Sequence, residues 1–193
     1  MNSTAFLPQI GNYKKLLSYQ KSRVIFDCTN LFCERFFHKP DRTVSQMVQA
    51  ARSGKQNIID SSEASILSTE TELKLTKAAR ASLDELLEDY RDFIRVRQEQ
   101  LWAPNSTEAL FIRRMSSGKT RHSEHPGIDQ TALHLIGTKP PSTCANIMIC
   151  LINQCNYLLD RQIREQERRF PKSRGIRQLM YQARKRYRKM GVG

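Results

Sequence analysis

The residues of this chain that are best suited to chemistry are the lysines and arginines near its end. Residues 161–193 hold twelve of them against two acids, Glu165 and Glu167, whereas residues 1–160 hold twenty against seventeen. Clustered cations neutralise phosphates and release counterions, so they favour a nucleic-acid partner. We predict that RNA or DNA is contacted by Arg168, Arg169, Lys172, Arg174, Arg177, Arg184, Lys185, Arg186, Arg188 and Lys189.

Aromatic residues are interleaved with these cations. Phe170, Tyr181 and Tyr187 are of a type that stacks on unpaired bases. Apolar residues recur there at helical intervals, which predicts a basic amphipathic helix over 173–190. Two alternatives stay open: a helix docked on the rest of the protein with a solvated basic exterior, and a helix lying on an anionic membrane. The apolar face has few bulky residues, which disfavours the membrane.

A second basic group consists of Lys74, Lys77 and Arg80, spaced three residues apart along one predicted helix. This spacing places them on one side of the helix. We predict a contact with a partner there, and ordinary solvation of a helix face is the alternative.

Motifs for catalysis or metal binding are missing from the sequence. It contains no phosphate-cradling glycine loop, no nucleophile elbow and no zinc-ligand spacing. His122, His125 and His134 form no helical pair, and the acidic segment 84–89 comes with no Glu-x-x-His motif for a bundle metal site. We therefore predict a protein that is not an enzyme, with no catalytic residue, no metal and no cofactor.

Composition points in the same direction. A chain of 193 residues suits one domain with an appendage, and its net charge of +13 favours a polyanionic partner. The cysteines are odd in number and fall within helical patterns, which is typical of free thiols in a reducing cytoplasm. We expect a cytoplasmic location with no signal peptide and no membrane association, because no apolar run approaches the roughly 20 residues of a membrane span.

Four helices are predicted to position these residues: the first over about 14–37, the second from a cap at 41 or 43 to about 60–62, the third over about 69–101 and the fourth from after Ser142 to Pro171. Asp41 or Thr43 is a candidate cap for the second helix, and Ser68 or Thr69 for the third. Pro171 is expected to end the fourth helix. A long loop, 103–142, separates the third and fourth helices and includes a short helix over 106–115. The predicted core stripes consist of Leu17, Val24, Cys28, Leu31, Val44, Met47, Ala51, Gly54, Ile58, Leu75, Ala79, Leu83, Leu86, Tyr90, Phe93, Cys144, Met148, Leu151, Cys155, Leu158 and Gln162, and they are widened by Ile25, Phe32, Phe36, Leu87, Ile94 and Leu101.

These patterns predict an all-α fold, specifically an antiparallel up-down four-helix bundle with a long loop between helices 3 and 4 and a C-terminal basic helix. We divide the chain into the bundle, 1–171 with its insertion 103–142, and a suffix helix, 172–193.

The second helix carries a recognisable segment, QMVQAARSGKQNIIDSSE at 46–63. It resembles the second helix of a four-helix-bundle family encoded in intervening sequences of bacterial large-subunit ribosomal RNA genes. The matching positions are Gln46, Ala50, Ala51, Ser53, Asn57, Ile58 and Asp60. The third-helix segment ARASLDELLEDY at 79–90 is similar to that family too, and the basic end of the chain resembles its suffix-containing variant.

One branch of this family comprises the accessory variability determinants of diversity-generating retroelements. The resemblance implies a homo-oligomer, a pentamer, that associates with a reverse transcriptase and its template RNA. Together with the charge pattern, it predicts a nucleic-acid-binding accessory protein without catalytic activity. The alternative is an oligomeric scaffold of the same family that binds an acidic protein partner and has no retroelement role.

Overall fold

The computed structural model describes residues 13–38, 41–116 and 128–190, with the backbone alone at 128–129, 170–180 and 182–190. After a 3-10 turn, Tyr13–Lys15, the described helices are α1 Leu17–Phe36, α2 Arg42–Ala64, α3 Thr69–Val96, α4 Thr107–Met115, α5 Ile128–Thr138 and α6 Pro141–Met190. All regular structure within these ranges is helical, so the all-α prediction is confirmed.

Side-chain caps define where three of the helices begin. The Asp41 carboxylate accepts a hydrogen bond from the Thr43 amide at 2.8 Å, and Ser68 Oγ accepts one from the Thr71 amide at 3.2 Å. Ser106 caps α4 in the same way. Such caps satisfy amides that have no partner within the helix. The caps predicted at Asp41 and Ser68 and the short helix after Ser106 are therefore confirmed.

Helix α2 continues beyond the point where the sequence predicted its end. It runs through Asp60, Ser61 and Ser62 to Ala64. Ser61 is buried, and its Oγ donates to the Glu72 carbonyl at 3.0 Å and lies 2.7 Å from Thr76 Oγ1. The prediction failed because α3 supplies partners for this hydroxyl, which therefore does not compete for the α2 backbone.

Helix α3 is shorter than predicted, since it ends at Val96 and not near residue 101. Gln98 has a φ of 56°, in the left-handed region. The Gln98 amide donates to the Arg95 carbonyl at 3.0 Å and the Glu99 amide to the Ile94 carbonyl at 3.1 Å. This pair of bonds is a Schellman motif built without glycine, and it ends α3 before Leu101.

Helix α6 is continuous through Pro171, where we predicted a break. It contains 50 residues, which corresponds to a length of about 75 Å. Proline lacks an amide hydrogen, so it removes one hydrogen bond and is usually unfavourable inside a helix. Strong helix formers before it, such as Arg168 and Arg169, and after it, such as Lys172, favour continuation. The predicted end of the helix at Pro171 is therefore wrong. The division of the chain into 1–171 and 172–193 stays a prediction.

The segment predicted as a long loop holds two helices, α4 and α5. Helix α4 packs on α6, and α5 packs mainly on α1. Ala132 and Ile136 of α5 are fully buried. Helix α5 escaped prediction because its buried stripe is short and follows a segment rich in polar residues.

The core lies between four helices. Helix α1 contacts α2 and α6, and α3 contacts the same two helices. Phe32 packs edge-to-face on Tyr90 and Phe93, with ring centroids 4.9 and 4.8 Å apart. Most predicted core residues are buried, but Leu17 and Leu101 are 57% and 48% exposed. The half-buried ones are Leu31, Phe36, Val44, Leu75, Leu158 and Gln162. Leu17 lies at the very start of α1 and Leu101 lies beyond the end of α3, so neither reaches the core.

The five cysteines are free thiols on α1 and α6, four of them buried. Burial raises the pKa of Cys28, Cys33 and Cys155 to about 12, with smaller effects from nearby charges. These thiols are therefore protonated near neutral pH and behave as small apolar groups.

Lys21 on α1 gives a pH prediction. Its Nζ donates to the Ser116 carbonyl at 2.6 Å and to Gln154 Oε1 at 2.7 Å. Burial lowers its pKa from 10.5 to about 8, partly offset by Cys155. Because the unfolded chain then binds more protons than the folded one between pH 8 and 10.5, Lys21 makes the protein more stable as the pH rises through that window.

We expect this contribution to appear as a difference between the wild-type protein and Lys21→Met in denaturant unfolding at pH 7.5 to 10. The wild type should gain stability relative to the variant as the pH rises. The comparison with the variant is required because the buried thiols, whose pKa values are raised, lower the stability of the protein as the pH rises above 9. A stability difference that does not change with pH would contradict a depressed Lys21 pKa.

Candidate nucleic-acid interface

The basic part of α6 extends from Arg168 to the end of the helix. All ten cations predicted to bind nucleic acid lie on this one helix, and no acidic residue occurs among residues 168–190. At the helical repeat, the positions of Arg177, Arg184 and Arg188 share one side of the helix, about 100° around its axis from Ile176, Ala183 and Tyr187. Continuous helix therefore arranges the cations in rows instead of leaving them on a flexible chain.

The first two cations, Arg168 and Arg169, have described side chains. Arg168 Nη1 lies 3.3 Å from Glu165 Oε2, with 76% of the arginine side chain exposed. Arg169 Nη2 lies 3.3 Å from Glu72 Oε1 on α3. Arg169 thus connects the start of the basic part to the packed helices. The side chains of the other eight predicted residues, Lys172, Arg174, Arg177, Arg184, Lys185, Arg186, Arg188 and Lys189, lie outside the described ones.

The acids that precede the basic part are already paired. Glu165 pairs with Arg168, and Glu167 Oε1 lies 2.8 Å from Lys77 Nζ on α3. Beyond Glu167 the charge on α6 is positive only. The positive field along this end of the helix is therefore not offset by carboxylates of the same helix.

Tyr181 is the aromatic residue of this region whose side chain is described. It is 66% exposed. An exposed ring among cations is the arrangement used for base stacking. Phe170 and Tyr187, which the sequence predicted in the same role, lie outside the described side chains.

The second basic group forms ion pairs within the chain. Lys74 Nζ lies 3.1 Å from Glu70 Oε1. Lys77 pairs with Glu167, and Arg80 Nε donates to Asp160 Oδ1 at 3.0 Å. Lys77 and Arg80 therefore join α3 to α6, a role that the sequence did not suggest. A contact of Lys74, Lys77 and Arg80 with a partner stays a prediction.

The acidic segment of α3 is divided among different partners. Asp84 Oδ1 accepts a hydrogen bond from Asn156 Nδ2 at 3.1 Å, and Glu88 pairs with Arg91. Burial raises the pKa of Asp89, helped by the charges of Asp92 and Glu85. Among the described residues, no three His, Cys, Asp or Glu side chains are close enough to hold a metal ion. His134 is exposed, while His122 and His125 lie outside the described part of the chain.

A buried polar cluster near the α2–α3 turn was missed by sequence reasoning. Glu72 Oε1 accepts hydrogen bonds from Gln166 Nε2 at 3.0 Å and from Arg169. Ser61 and Thr76 lie beside this pair and are also buried. The sequence suggested only that Glu72 suits the first turn of a helix. The signal that was available was the placement of Glu72 in phase with the buried Thr76 and Ala79.

The described residues define an all-α protein in which one long helix belongs both to the core and to a basic surface. No protein-family model matches the chain, and no curated protein or solved structure is significantly similar to it. Within the described ranges, no helix combines the length and apolar character needed to cross a membrane.

Proposed function

We propose that this protein binds nucleic acid through the basic part of α6 and acts without catalysis as an accessory protein. The observation that carries the proposal is the continuity of α6, which leads from buried Leu159 into a stretch of ten cations without an acid. In its most specific form, which rests on the family resemblance, the protein is a homo-oligomer that associates with RNA and the reverse transcriptase of a diversity-generating retroelement.

The electrostatics support phosphate as the group that is bound. Each phosphate neutralised by lysine or arginine releases condensed counterions, which makes binding favourable at low salt. Arg168 is largely exposed, and the preceding acids Glu165 and Glu167 are already paired. Exposed Tyr181 adds an aromatic face for an unpaired base. RNA or single-stranded DNA fits this combination better than a duplex.

The scaffold that we propose is an antiparallel up-down four-helix bundle of α1, α2, α3 and α6. Paired residues along neighbouring helices support it: Ser53 contacts Ser82 while Ser61 contacts Thr76, so numbers rise on α2 as they fall on α3. Helices α3 and α6 behave alike, since Asp84 meets Asn156 and Glu72 meets Gln166. In this arrangement, residues 172–190 belong to a suffix that extends beyond α3.

A salt titration of two matched full-length variants tests nucleic-acid binding. One variant carries glutamine at Arg184, Lys185, Arg188 and Lys189. The control carries glutamine at four exposed arginines of α2 and α3, namely Arg42, Arg52, Arg91 and Arg95. Both lower the net charge equally. Affinity for a fluorescent single-stranded RNA is measured by anisotropy from 50 to 200 mM salt.

We expect the α6 variant to bind more weakly, with a logarithmic salt slope smaller by roughly 0.7 for each lost contact, or about 3 in total. The control should keep the slope of the wild-type protein. Equal losses in both variants would show that net charge alone is sensed, and an unchanged α6 variant would reject the proposed surface. Absence of RNA binding by the wild type would favour the scaffold alternative, in which the basic helix meets an acidic protein.

A further inference from the structure

A cavity of about 230 Å³ lies where the basic part of α6 begins. It is bounded by the end of α2, by the first turns of α3, and by the part of α6 around Gln166. Its lining residues include the exposed Ser65 and Arg169. The cavity therefore has solvent-accessible walls on the side of the basic helix. Its volume corresponds to roughly eight water molecules, so it holds a small planar group and not an extended chain.

The inner wall of this cavity is built from hydrogen-bond acceptors. Glu72 is buried, with 9% of its side chain exposed, and its Oε1 accepts from Gln166 Nε2 and Arg169 Nη2. Gln166 is 5% exposed, and its Oε1 has no hydrogen-bond partner among the described residues. A buried acceptor without a donor is unfavourable, so a ligand that donates to it stabilises the site.

This set of groups selects a ligand with hydrogen-bond donors. A phosphate is disfavoured inside the cavity, because the carboxylates of Glu72 and Glu165 line it. A ligand edge with two neighbouring donors matches the carboxylate of Glu72 and the carbonyl of Gln166. Arg169 at the same place supplies a donor for an acceptor on the ligand.

Among the nucleobases, guanine presents such an edge. Its ring N–H and exocyclic amino group are adjacent donors on the pairing edge, and its carbonyl oxygen beside them is an acceptor that arginine recognises. Adenine and cytosine place an acceptor next to their amino group, and uracil flanks its single N–H with two carbonyls. Only guanine therefore offers both donors to the acceptors of this wall.

We propose that the cavity binds one unstacked guanine of a single strand whose phosphates lie along the basic part of α6. This inference rests on the proposed nucleic-acid binding and adds a base preference to it. Single-stranded RNA is commonly read in this way, with a splayed base hydrogen-bonded along its pairing edge. Arg169, which belongs both to the cavity wall and to the start of the basic part, connects the two contacts.

The test compares three RNAs of equal length: a uridine tract, the same tract with one central guanosine, and the same tract with inosine at that position. Inosine lacks the exocyclic amino group. Using full-length protein, we expect the guanosine RNA to bind at least about fivefold more tightly than the uridine tract, as expected for a bidentate base contact. Inosine should lose most of this gain. Equal affinity for all three RNAs would overturn the guanine site.

Two variants locate the preference. Glu72→Gln removes the carboxylate with little change in shape, and Ser62→Leu narrows the cavity without touching the buried hydrogen bonds of Glu72. Glu70→Gln is the matched control, since it removes a carboxylate two residues away that does not line the cavity. Circular dichroism checks folding, and Ser62→Leu decides the question if Glu72→Gln unfolds.

The expected result is loss of the guanosine preference in both cavity variants, with uridine-tract affinity unchanged in Ser62→Leu, which leaves the ion pair of Glu72 with Arg169 intact. Persistence of the preference in folded Ser62→Leu would reject the cavity as its source. The α6 charge variant tests the proposed function instead, because it should lose affinity for every RNA, including the uridine tract. The two hypotheses therefore fail in different measurements.

Discussion

Gly54→Ala is expected to lower the free energy of unfolding by about 1–2 kcal/mol, and Gly54→Leu by about 3 kcal/mol or more, within or above the usual range for overpacked cores. A Cβ at Gly54 would lie 2.8 Å from Leu83 Cδ2 and 2.9 Å from Leu83 Cγ. Leu83 is fully buried, so it has little room to move away. The clash outweighs the roughly 0.5–1 kcal/mol that alanine contributes to helix formation.

Thermal unfolding measures this effect, and Gly137→Ala is its control. Gly137 also lies in a helix, α5, but a Cβ there would meet only Leu31 Cδ2 at an ordinary 3.9 Å. We expect this substitution to raise stability by about 0.5–1 kcal/mol. A Gly54→Ala protein as stable as Gly137→Ala would show that α2 and α3 are not in close contact at this point.

Tyr90→Ala is expected to destabilise the protein by about 3–5 kcal/mol, as for other large aromatic residues removed from a core. Tyr90 is fully buried on α3, and its ring packs edge-to-face on Phe32 of α1. Its hydroxyl donates to Thr29 Oγ1 at 3.1 Å. For a chain of this size, the loss corresponds to a fall in Tm of roughly 6–20 °C.

Tyr90→Phe separates packing from hydrogen bonding. It keeps the ring and removes the hydroxyl, so we expect a loss of about 1 kcal/mol, the usual net value of one buried hydrogen bond. Denaturant unfolding of both variants in parallel gives the comparison. If phenylalanine were as harmful as alanine, the hydroxyl contact with Thr29 would be the main contribution of Tyr90, and the aromatic packing would not.

The helices could be predicted from the sequence where buried and exposed residues alternate with the helical period. The stripes of Met47, Ala51 and Ile58 on α2 and of Ala79, Leu83 and Leu86 on α3 are buried as predicted. Helix ends were less predictable, because they depend on partners far away in the chain. Ser61 reads as a helix breaker until the Glu72 carbonyl is known to accept its hydroxyl.

The candidate interface was predictable only in part. A run of cations without acids can be recognised directly in the sequence, so the segment from Arg168 to Lys189 could be predicted as a basic surface. The continuity of their helix could not be read, since Pro171 normally signals an end. The cavity could not be predicted from the sequence. Ser61, Glu72 and Gln166 come from three different helices, and each resembles an ordinary polar residue of a helix surface.

The continuity of α6 fixes the length of the surface along which a nucleic-acid strand could bind. Residues 170–190 add about 30 Å of helix after Arg169. At the duplex rise of about 3.4 Å per nucleotide, this length corresponds to roughly nine nucleotides, and a more extended single strand would place fewer nucleotides along it. A strand held along the helix would therefore have a limited footprint, and the residues beyond Pro171 would set the length of nucleic acid that one chain protects.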